Sequence, residues 1–500
     1  MSGRPGRTCV RCSQPISRYN PDASCSNCAR TEATPAISDR AWRDEAVHRA
    51  LATWDFGTVL RLVRRRSGLS QKAVRELTGL TQGFISDLER GLKQINGRET
   101  IIDVLTGLGL PSDLRPLLLA PFAQAESQRL IEAVDPALPW TSTRMVTSLE
   151  AAVGGVMNGL NRRSMITALG GAGLTQYILQ AAIAPPEAVA ATARNGISVS
   201  DQLLTSLQST TDVLRQTDAS RGSGNLARAA TAHLKVLLQF LKEGDFNEAT
   251  GRRLAAVTAD TAIQTAWYRF DSGAHTVAHN LLLGALRAAH ASADSRLRAG
   301  ALSFLAIHGY SVGDPRDAVT AARTARQVAA DQDAPALHAM LLTRQARGHA
   351  RLGEDRQARI ALEEAQALCA RGRGEDDPHW LYWINDGEIM GQTGSCLLDL
   401  GRPDQAAEAF ADARNAFSPD EVRTRAQFLS RAATAQMRAG DVDAGSATGH
   451  EVLTLVAGVR SARLDDNIAA MLTEARRYSP AAPAQDLLER GQTIMEERAA

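Results

Sequence analysis

The chain has 500 residues, of which 44% are hydrophobic, 22% charged and only 4% aromatic, and its formal net charge is +1. Its six cysteines, four of them within the first 28 residues, do not resemble an extracellular disulfide framework. The frequent alanines favour a soluble, mostly helical chain of about three folded units. The charge is uneven, because residues 1–98 carry 17 Lys and Arg against 9 Asp and Glu, whereas the remainder carries 39 against 46. This basic front end supports phosphate binding confined to the N-terminal region.

Two CxxC pairs open the chain, with the spacing C-x2-C-x12-C-x2-C at Cys9, Cys12, Cys25 and Cys28. Four thiolates at this spacing fit one tetrahedral Zn²⁺, so we predict a small zinc ribbon over residues 7–30 with one structural zinc per chain. A redox dithiol pair or disulfides are the alternatives. Whether the ribbon contacts DNA, contacts a partner or only caps the fold stays open. Residues 1–8 are polar and basic without an apolar run, so we expect no secretory signal and a cytoplasmic protein.

Residues 39–120 read as a five-helix domain, with helices over 39–53, 56–67, 71–78, 82–89 and 99–108. The stretch LSQKAVRELTGLTQGFISDLERG at 69–91 predicts two short helices joined by a tight turn. Gly79 lets the chain reverse, Thr81 can cap the second helix, and Gly91 can end it. Ile85 and Leu88 mark the buried stripe of that second helix.

The same spacing leaves Gln82, Gly83, Ser86 and Asp87 facing outward near the start of the second helix. In helix-turn-helix proteins this part of the recognition helix reaches base edges in the major groove, and glutamine can pair bidentately with adenine. A small helical bundle without a DNA role is the alternative. We assign nine residues to the DNA-binding surface: Gln71, Lys72, Thr81, Gln82, Gly83, Ser86, Asp87, Lys93 and Arg98.

The sequence FGTVLRLVRRRSGLSQ…GLTQGFISDLERG resembles the phage-repressor or XRE family of helix-turn-helix regulators. The resemblance implies that Gln71 holds a phosphate at the start of the first helix and that Arg64 and Glu89 form an internal ion pair. Arg75 departs from the family pattern, which has a small residue there for close helix packing.

Residues 121–200 predict a helical connector broken by prolines. Arg162, Arg163 and Ser164 open a charge-free run that ends at Pro186 and superficially resembles a twin-arginine export signal. A whole DNA-binding region precedes this run, and several glycines and glutamines interrupt it. We therefore expect a buried or interface helix there and no membrane contact.

From residue 201 to 500 the chain repeats. Gly244, Gly273, Gly313, Gly353 and Gly401 are each followed five and twelve residues later by alanine, and Gly440 marks a sixth unit without those alanines. Glycine turns followed by small residues are typical of stacked helical hairpins, and the pattern resembles a tetratricopeptide array with irregular spacing. Such arrays bind partners on a concave surface, and we assign six residues weakly to it: Trp267, Tyr310, His349, Trp380, Trp383 and Asn385.

The sequence contains no phosphate-binding glycine loop, GxSxG or HExxH, so we do not expect an enzyme. The whole architecture resembles large actinobacterial regulators: an all-α chain with a zinc ribbon, a helix-turn-helix domain and an α-solenoid. The resemblance implies a homodimeric, sequence-specific transcriptional regulator that binds double-stranded DNA and senses a peptide, protein or small molecule at its solenoid. The alternative is a protein-interaction scaffold whose helix-turn-helix domain no longer reads DNA.

Overall fold

The structure is a computed structural model that describes residues 37, 39–42, 44–52, 55–95, 98–110, 139–157, 170–191, 196–223, 226–418 and 421–499. The chain divides into two compact units, unit 1 over Met1–Pro121 and unit 2 over Phe122–Ala500. Almost all regular structure in the described residues is helical, which confirms the predicted all-α class. The four cysteines of the predicted zinc ribbon lie outside the described residues.

Unit 1 is a small helical domain. Its described residues form α1 (Asp39–Trp42), α2 (Glu45–Ala52), α3 (Phe56–Arg66), α4 (Gln71–Thr78), α5 (Gln82–Glu89) and α6 (Arg98–Gly107). The prediction of a single helix over 39–53 is wrong, because the structure has two separate helices there, α1 and α2. The Asp44 carboxylate accepts a hydrogen bond from the Ala46 backbone N–H at 2.8 Å and so starts a new helix.

Side-chain caps fix the starts of the three helices around the turn. Asp55, Ser70 and Thr81 precede α3, α4 and α5, and each accepts a hydrogen bond from the backbone N–H three residues later. These bonds satisfy N–H groups that have no partner inside the helix. The cap residues therefore set the helix boundaries by local chemistry alone.

Two glycines let the helices of unit 1 approach closely around one apolar cluster. A Cβ atom on Gly57 of α3 would lie 2.2 Å from the Leu88 carbonyl oxygen of α5, and one on Gly107 of α6 would lie 2.0 Å from that of Leu77 in α4. Each glycine thus packs directly on a neighbouring backbone. The cluster buries Trp42, Val47, Phe56, Val59, Leu60, Val63, Val74, Ile85, Leu88, Val104 and Leu105.

In the described part of unit 2, two helices precede the repeats, α7 (Ser142–Met157) and α8 (Ala172–Ile183). Beyond them the described helices are α9 (Asp201–Arg221), α10 (Leu226–Glu243), α11 (Glu248–Asp271), α12 (His275–Ala291), α13 (Ser295–Val312), α14 (Pro315–Val328), α15 (Pro335–Arg351), α16 (Asp355–Ala370), α17 (Asp386–Asp399), α18 (Pro403–Ala416), α19 (Val422–Arg438), α20 (Val442–Leu455), α21 (Ala462–Ala475) and α22 (Ala482–Ala499). Two short strands, β1 (Ile197–Ser198) and β2 (Gly244–Asp245), pair in parallel.

Five consecutive helix pairs form hairpins 1 to 5, which are α11/α12, α13/α14, α15/α16, α17/α18 and α19/α20. The second helix of each hairpin packs on the first helix of the next, and the first helices of successive hairpins also touch. The predicted tetratricopeptide-like α-solenoid is confirmed. The turns inside hairpins 1, 3, 4 and 5 contain Gly273, Gly353, Gly401 and Gly440, all with positive φ.

The repeat register predicted from Gly244 is wrong. Gly244 lies in β2 between α10 and α11, so the alanines counted from it, Ala249 and Ala256, are exposed and half-buried. The other eight repeat alanines are all fully buried: Ala278, Ala285, Ala318, Ala325, Ala358, Ala365, Ala406 and Ala413.

The sixth unit at Gly440, which lacks those alanines, forms the complete hairpin 5. Gly445 replaces the first alanine there, and a Cβ atom on it would lie 2.5 Å from Cγ of Met437. An even smaller residue therefore serves the same close contact between the two helices of the hairpin.

The region predicted as a connector packs on the solenoid. Within the described residues, α7 packs against α10 and α12, and α8 packs against α12 and α14. Tyr177 in α8 is fully buried, and its hydroxyl donates to the Leu283 carbonyl at 2.8 Å. The described part of the charge-free run therefore contains a helix that buries one face on the solenoid, while Leu179 and Ile183 on it are 46% and 74% exposed. No helix among the described residues is long and apolar enough to cross a membrane.

Candidate nucleic-acid interface and solenoid interior

The turn between α4 and α5 has the geometry that the sequence predicts. Gly79 ends α4 with φ +71°, and the Thr81 hydroxyl accepts the hydrogen bond that starts α5. Val74, Ile85 and Leu88 are buried between the helices of unit 1. This packing holds one face of α5 in the core of unit 1. The opposite face is exposed at the start of the helix.

The residues at the start of α5 are accessible. Gln82 and Gly83 are exposed, and Ser86 and Asp87 are half-buried. Lys72 at the start of α4 is exposed, as is Lys93 after α5. Arg98 begins α6. Among the described side chains of unit 1, a polar and basic surface therefore runs from the start of α4 across the start of α5.

Asp87 is a carboxylate on the predicted DNA-reading face, but cations surround it. Oδ1 accepts from Nη2 of Arg90 at 2.6 Å, and Oδ2 lies 2.9 Å from Nζ of Lys93. Hydrogen bonds from Lys93 and then Arg90 lower the pKa of Asp87. The Lys93 ammonium also lies 5.5 Å from the centre of the Phe84 ring. The negative charge of Asp87 is thus offset within unit 1, and Lys93 is held beside the face.

An internal ion pair lies behind that face. Arg64 of α3 donates to Glu89 at the end of α5, and Gln71 at the start of α4 donates from Nε2 to Oε2 of Glu89 at 3.0 Å. The Arg64–Glu89 pair implied by the family resemblance is present. Gln71 uses its amide N–H on this pair in the structure, whereas the resemblance implied a phosphate contact. Its role toward DNA stays a prediction.

Several exposed residues of unit 1 lie outside the predicted DNA-binding set. Among them are Arg65 at the end of α3, Arg90 after α5 and Leu92, which is 66% exposed. The one sequence signal for Arg90 and Leu92 was Gly91 between them, which has φ +73° and ends α5. Arg75, the departure from the family pattern, is exposed and does not enter the helix contact.

Three of the six residues predicted for the solenoid surface, Trp267, Tyr310 and Trp383, lie against guanidinium groups in the interior of unit 2. The guanidinium carbons of Arg423 and Arg463 lie 5.5 and 4.8 Å from the Trp267 ring centre. Arg347 lies 5.0 Å from the Tyr310 ring, and Arg344 lies 5.6 Å from the Trp383 ring. These distances are in the range of cation–π contacts.

The other three predicted residues have structural contacts. His349 is buried and bonds through Nδ1 to Oε2 of Glu354 at 2.5 Å across the turn of hairpin 3. Trp380 packs on the surface of Gly300 in α13. Asn385 caps α17 by accepting from the Glu388 N–H at 2.9 Å. Packing and capping therefore account for these three residues.

Sequence reasoning missed the arginines themselves. Arg344, Arg347, Arg423, Arg431 and Arg463 lie on the first helices of hairpins 3 and 5 and on α21. Arg347 and Arg431 share Asp399, at 2.9 and 3.0 Å. Burial lowers the pKa of Arg431, and the charge of Arg347 lowers it further. The interior thus holds cations that have to share carboxylates.

A family model described as a helix-turn-helix domain matches residues 55–118. Curated proteins give no significant match. Among solved structures, the chain is similar to yeast Tom70, with 11% identity, a TM-score of 0.34 and coverage of 90% of this chain and 86% of that chain.

Two further structures are similar over most of their length. The Cut9–Hcn1 hetero-tetramer of APC/C gives 13% identity and a TM-score of 0.30, covering 87% of this chain and 89% of that chain. A monomeric mutant of IFIT1 gives 10% identity and a TM-score of 0.32, covering 92% of this chain and 98% of that chain. The family match and the geometry of α4 and α5 together show that unit 1 contains a helix-turn-helix domain.

Proposed function

We propose that the protein is a sequence-specific DNA-binding transcriptional regulator whose solenoid senses a ligand or a protein partner. The observation that carries the proposal is the exposed start of α5, where Gln82 and Gly83 face outward on a helix held from behind by Ile85 and Leu88. A helix N-terminus carries partial positive charge and suits a phosphate-rich groove. Gln82 supplies a side chain that can read adenine.

A salt titration of DNA binding tests the proposal. The full-length protein should select its sites from a random DNA library, and its affinity should fall steeply with salt. Gln82→Ala should reduce selectivity by about 1–3 kcal/mol at one base pair, whereas Lys72→Ala should weaken all sequences alike. Gln357→Ala, an exposed glutamine of unit 2, is the matched control and should change neither quantity. Weak binding without sequence preference contradicts the proposal.

The second candidate function is a protein-interaction scaffold with a helix-turn-helix domain that does not read DNA. Gly83 motivates it, because a recognition face with a glycine in its first turn offers one side chain fewer to the bases. The negative charge of Asp87 would repel phosphate and so also favours a scaffold. Arg90 and Lys93 pair with this carboxylate, however, and offset its charge. A scaffold should bind DNA with the same affinity before and after the Gln82 change.

The regulator is further proposed to act as a homodimer. Two recognition helices one DNA turn apart would gain affinity for a palindromic site, and a shift between solenoid conformations would change their spacing. This mechanism rests on analogy with other regulators. Sedimentation with and without an operator duplex should give two chains per duplex; one chain per duplex contradicts it.

Zinc binding is proposed from the spacing of Cys9, Cys12, Cys25 and Cys28 alone. Metal analysis of the purified protein should give one zinc per chain. Changing Cys9 and Cys12 to serine should remove it, whereas changing Cys369 and Cys396, which lie in the solenoid, should not. A protein that carries no zinc but has linked cysteine pairs would support the disulfide alternative.

A further inference from the structure

The predicted reading face of α5 offers few side chains to the bases. Its four residues are Gln82, Gly83, Ser86 and Asp87. Gly83 has no side chain, and a Cβ atom added there would meet open space. Ser86 is half-buried and short. Gln82 is therefore the one long side chain of this set that is exposed.

Asp87 has both of its carboxylate oxygens engaged. Oδ1 accepts from Nη2 of Arg90 at 2.6 Å, and Oδ2 lies 2.9 Å from Nζ of Lys93. Hydrogen bonds from Lys93 and Arg90 lower the pKa of this carboxyl, so it stays charged at neutral pH. A carboxylate reads a base by accepting from the N4 amino group of cytosine. Asp87 would have to break an ion pair to do so.

Arg90 lies along the same side of α5. Its Nε donates to the Ser86 carbonyl at 3.3 Å, and its Nη2 donates to Asp87. These two partners orient the guanidinium beside the second turn of the helix. The Arg90 side chain nevertheless keeps 61% of its surface exposed. An oriented and accessible guanidinium therefore lies next to the position from which Asp87 would read a base.

The remaining donors of Arg90 form a fork. A guanidinium has five N–H groups in one plane, and Ser86 and Asp87 take the edge that carries Nε and Nη2. Nη1 and the second N–H of Nη2 form another edge, which bonds to no group within the residues that the structure describes. Two parallel N–H donors match the O6 and N7 acceptors of guanine in the major groove.

Lys93 pairs with the same carboxylate but presents a different group. Its ammonium lies 5.5 Å from the centre of the Phe84 ring and 2.9 Å from Oδ2 of Asp87. A single ammonium lacks the planar fork of a guanidinium. Lys93 therefore suits a phosphate, whereas Arg90 suits a base.

We propose that Arg90 is a base-reading residue that recognises guanine, and that Asp87 positions it. Asp87 then acts through Arg90 and does not contact the bases itself. This role of Arg90 rests on the DNA-binding function proposed above. It adds a guanine to the expected site, close to the adenine that Gln82 can read.

Changing single atoms of the DNA tests the contact. The full-length protein selects its best duplex from a random library, and each guanine of that duplex is replaced in turn by 7-deazaguanine, which lacks the N7 acceptor. One replacement should weaken binding by about tenfold. Arg90→Ala should bind this modified duplex and the unmodified duplex equally, because it has no donor left for N7.

Arg65→Ala is the matched control. It removes an exposed arginine from α3 of the same unit, so the loss of charge is the same. This variant should keep the difference between the two duplexes. If Arg90→Ala also keeps it and only weakens every duplex alike, Arg90 contacts a phosphate, which overturns its role as a base reader.

Asp87→Ala tests the positioning role. It makes the DNA-facing surface more positive, so charge alone predicts tighter binding to every duplex. Loss of the oriented fork predicts instead that the difference between the two duplexes falls to about threefold or less. Asp87→Glu can still pair with Arg90 three residues on and should restore the difference. An unchanged difference in Asp87→Ala overturns the positioning role.

Three further outcomes distinguish the role of Arg90 from the proposed regulator. A selected G·C pair that tolerates 7-deazaguanine but depends on Asp87 would show that Asp87 reads the cytosine, which overturns the role of Arg90. Selection that depends on Gln82, with no guanine sensitive to 7-deazaguanine, also overturns it and leaves the regulator in place. A wild type without sequence preference overturns both.

Discussion

Arg64 donates from Nε and Nη2 to the two carboxylate oxygens of Glu89, at 2.5 and 2.8 Å. This bidentate pair joins α3 to the end of α5, and both side chains are largely removed from water. Charged hydrogen bonds of this geometry are stronger than neutral ones. The orientation of the recognition helix therefore depends on a contact at its far end.

Arg64→Ala should destabilise unit 1 by about 1–3 kcal/mol, because it leaves a partly buried carboxylate without its cation. Hydrogen exchange of the α3 and α5 amides in the full-length protein measures the loss. Arg90→Ala removes an exposed pair and should change stability by less than about 0.5 kcal/mol. Equal effects of the two changes would show that the Arg64 pair is not structural.

Acid should weaken the same contact. Burial alone would raise the pKa of Glu89, but hydrogen bonds from Arg64 and Gln71 outweigh it and leave the pKa below its usual value of 4.5. For a lowered carboxyl pKa, the added stability is present above the unfolded value and is lost as pH falls through the folded value. Exchange in α5 should therefore accelerate below about pH 4.5, and Glu89→Gln should flatten this dependence. A wild type as flat as the variant contradicts the assignment.

Asp317 should have the opposite pH dependence. It lies buried in α14, accepts from the Gly171 N–H at 3.1 Å, and burial raises its pKa to about 6. A raised carboxyl pKa means that stability increases as pH falls from about 6 toward the unfolded value of 3.8. Asp317→Asn should stabilise unit 2 by ~2 kcal/mol at pH 7 and by much less at pH 4.5.

Thermal unfolding of wild type and Asp317→Asn at the two pH values gives this difference. Asp404→Asn, an exposed change, corrects for the general effect of losing one charge. A stabilisation that is the same at both pH values would mean that burial of the charge is not its cause.

Alanine substitutions at two glycines of unit 1 should change its stability in opposite directions. Gly107→Ala places a methyl group against the Leu77 carbonyl and should cost more than about 2 kcal/mol, because both sides are backbone. Gly83 lies in open space inside α5, so Gly83→Ala should stabilise the helix by about 0.5–1 kcal/mol. The same exchange measurement ranks the two, and destabilisation by Gly83→Ala would contradict the packing described above.

The corrected repeat register predicts a similar contrast. Ala358 is fully buried between the helices of hairpin 3, whereas Ala249 is exposed in α11. Ala358→Leu should destabilise unit 2 by about 2 kcal/mol through overpacking, and Ala249→Leu should change it by less than about 0.5 kcal/mol. Urea unfolding of the two variants compares them. Similar losses would restore the register that starts at Gly244.

The helix-turn-helix domain was predictable almost residue by residue, because its boundaries depend on local signals. Gly79, Thr81 and Gly91 act through their own backbone conformation or on an N–H three residues away. The break between α1 and α2 was missed, since Asp44 was read as an interior helical residue although it caps α2.

The solenoid was predictable as a repeat but not in its interior. Alanine is frequent throughout the chain, so Gly244 matched the spacing by composition, and Gly445 hid a true repeat because it is smaller than the expected residue. The hydrogen bond between Asp218 and Arg423 spans 205 residues, and no periodic pattern links such positions. Three of the predicted aromatic residues contact arginines that the sequence pattern did not single out.

The contacts of Trp267 with Arg423 and Arg463 also bear on how the protein is made. A repeat array that contacts only its neighbours can fold hairpin by hairpin from its N-terminal end as the chain leaves the ribosome. Here Trp267 gains its arginine neighbours only after Arg463 has been synthesised, so hairpin 1 emerges with part of its polar lining unmatched. Unit 2 therefore cannot finish folding until the last part of the chain has been made. C-terminal truncations that remove Arg463 should destabilise hairpin 1 at the opposite end of the solenoid.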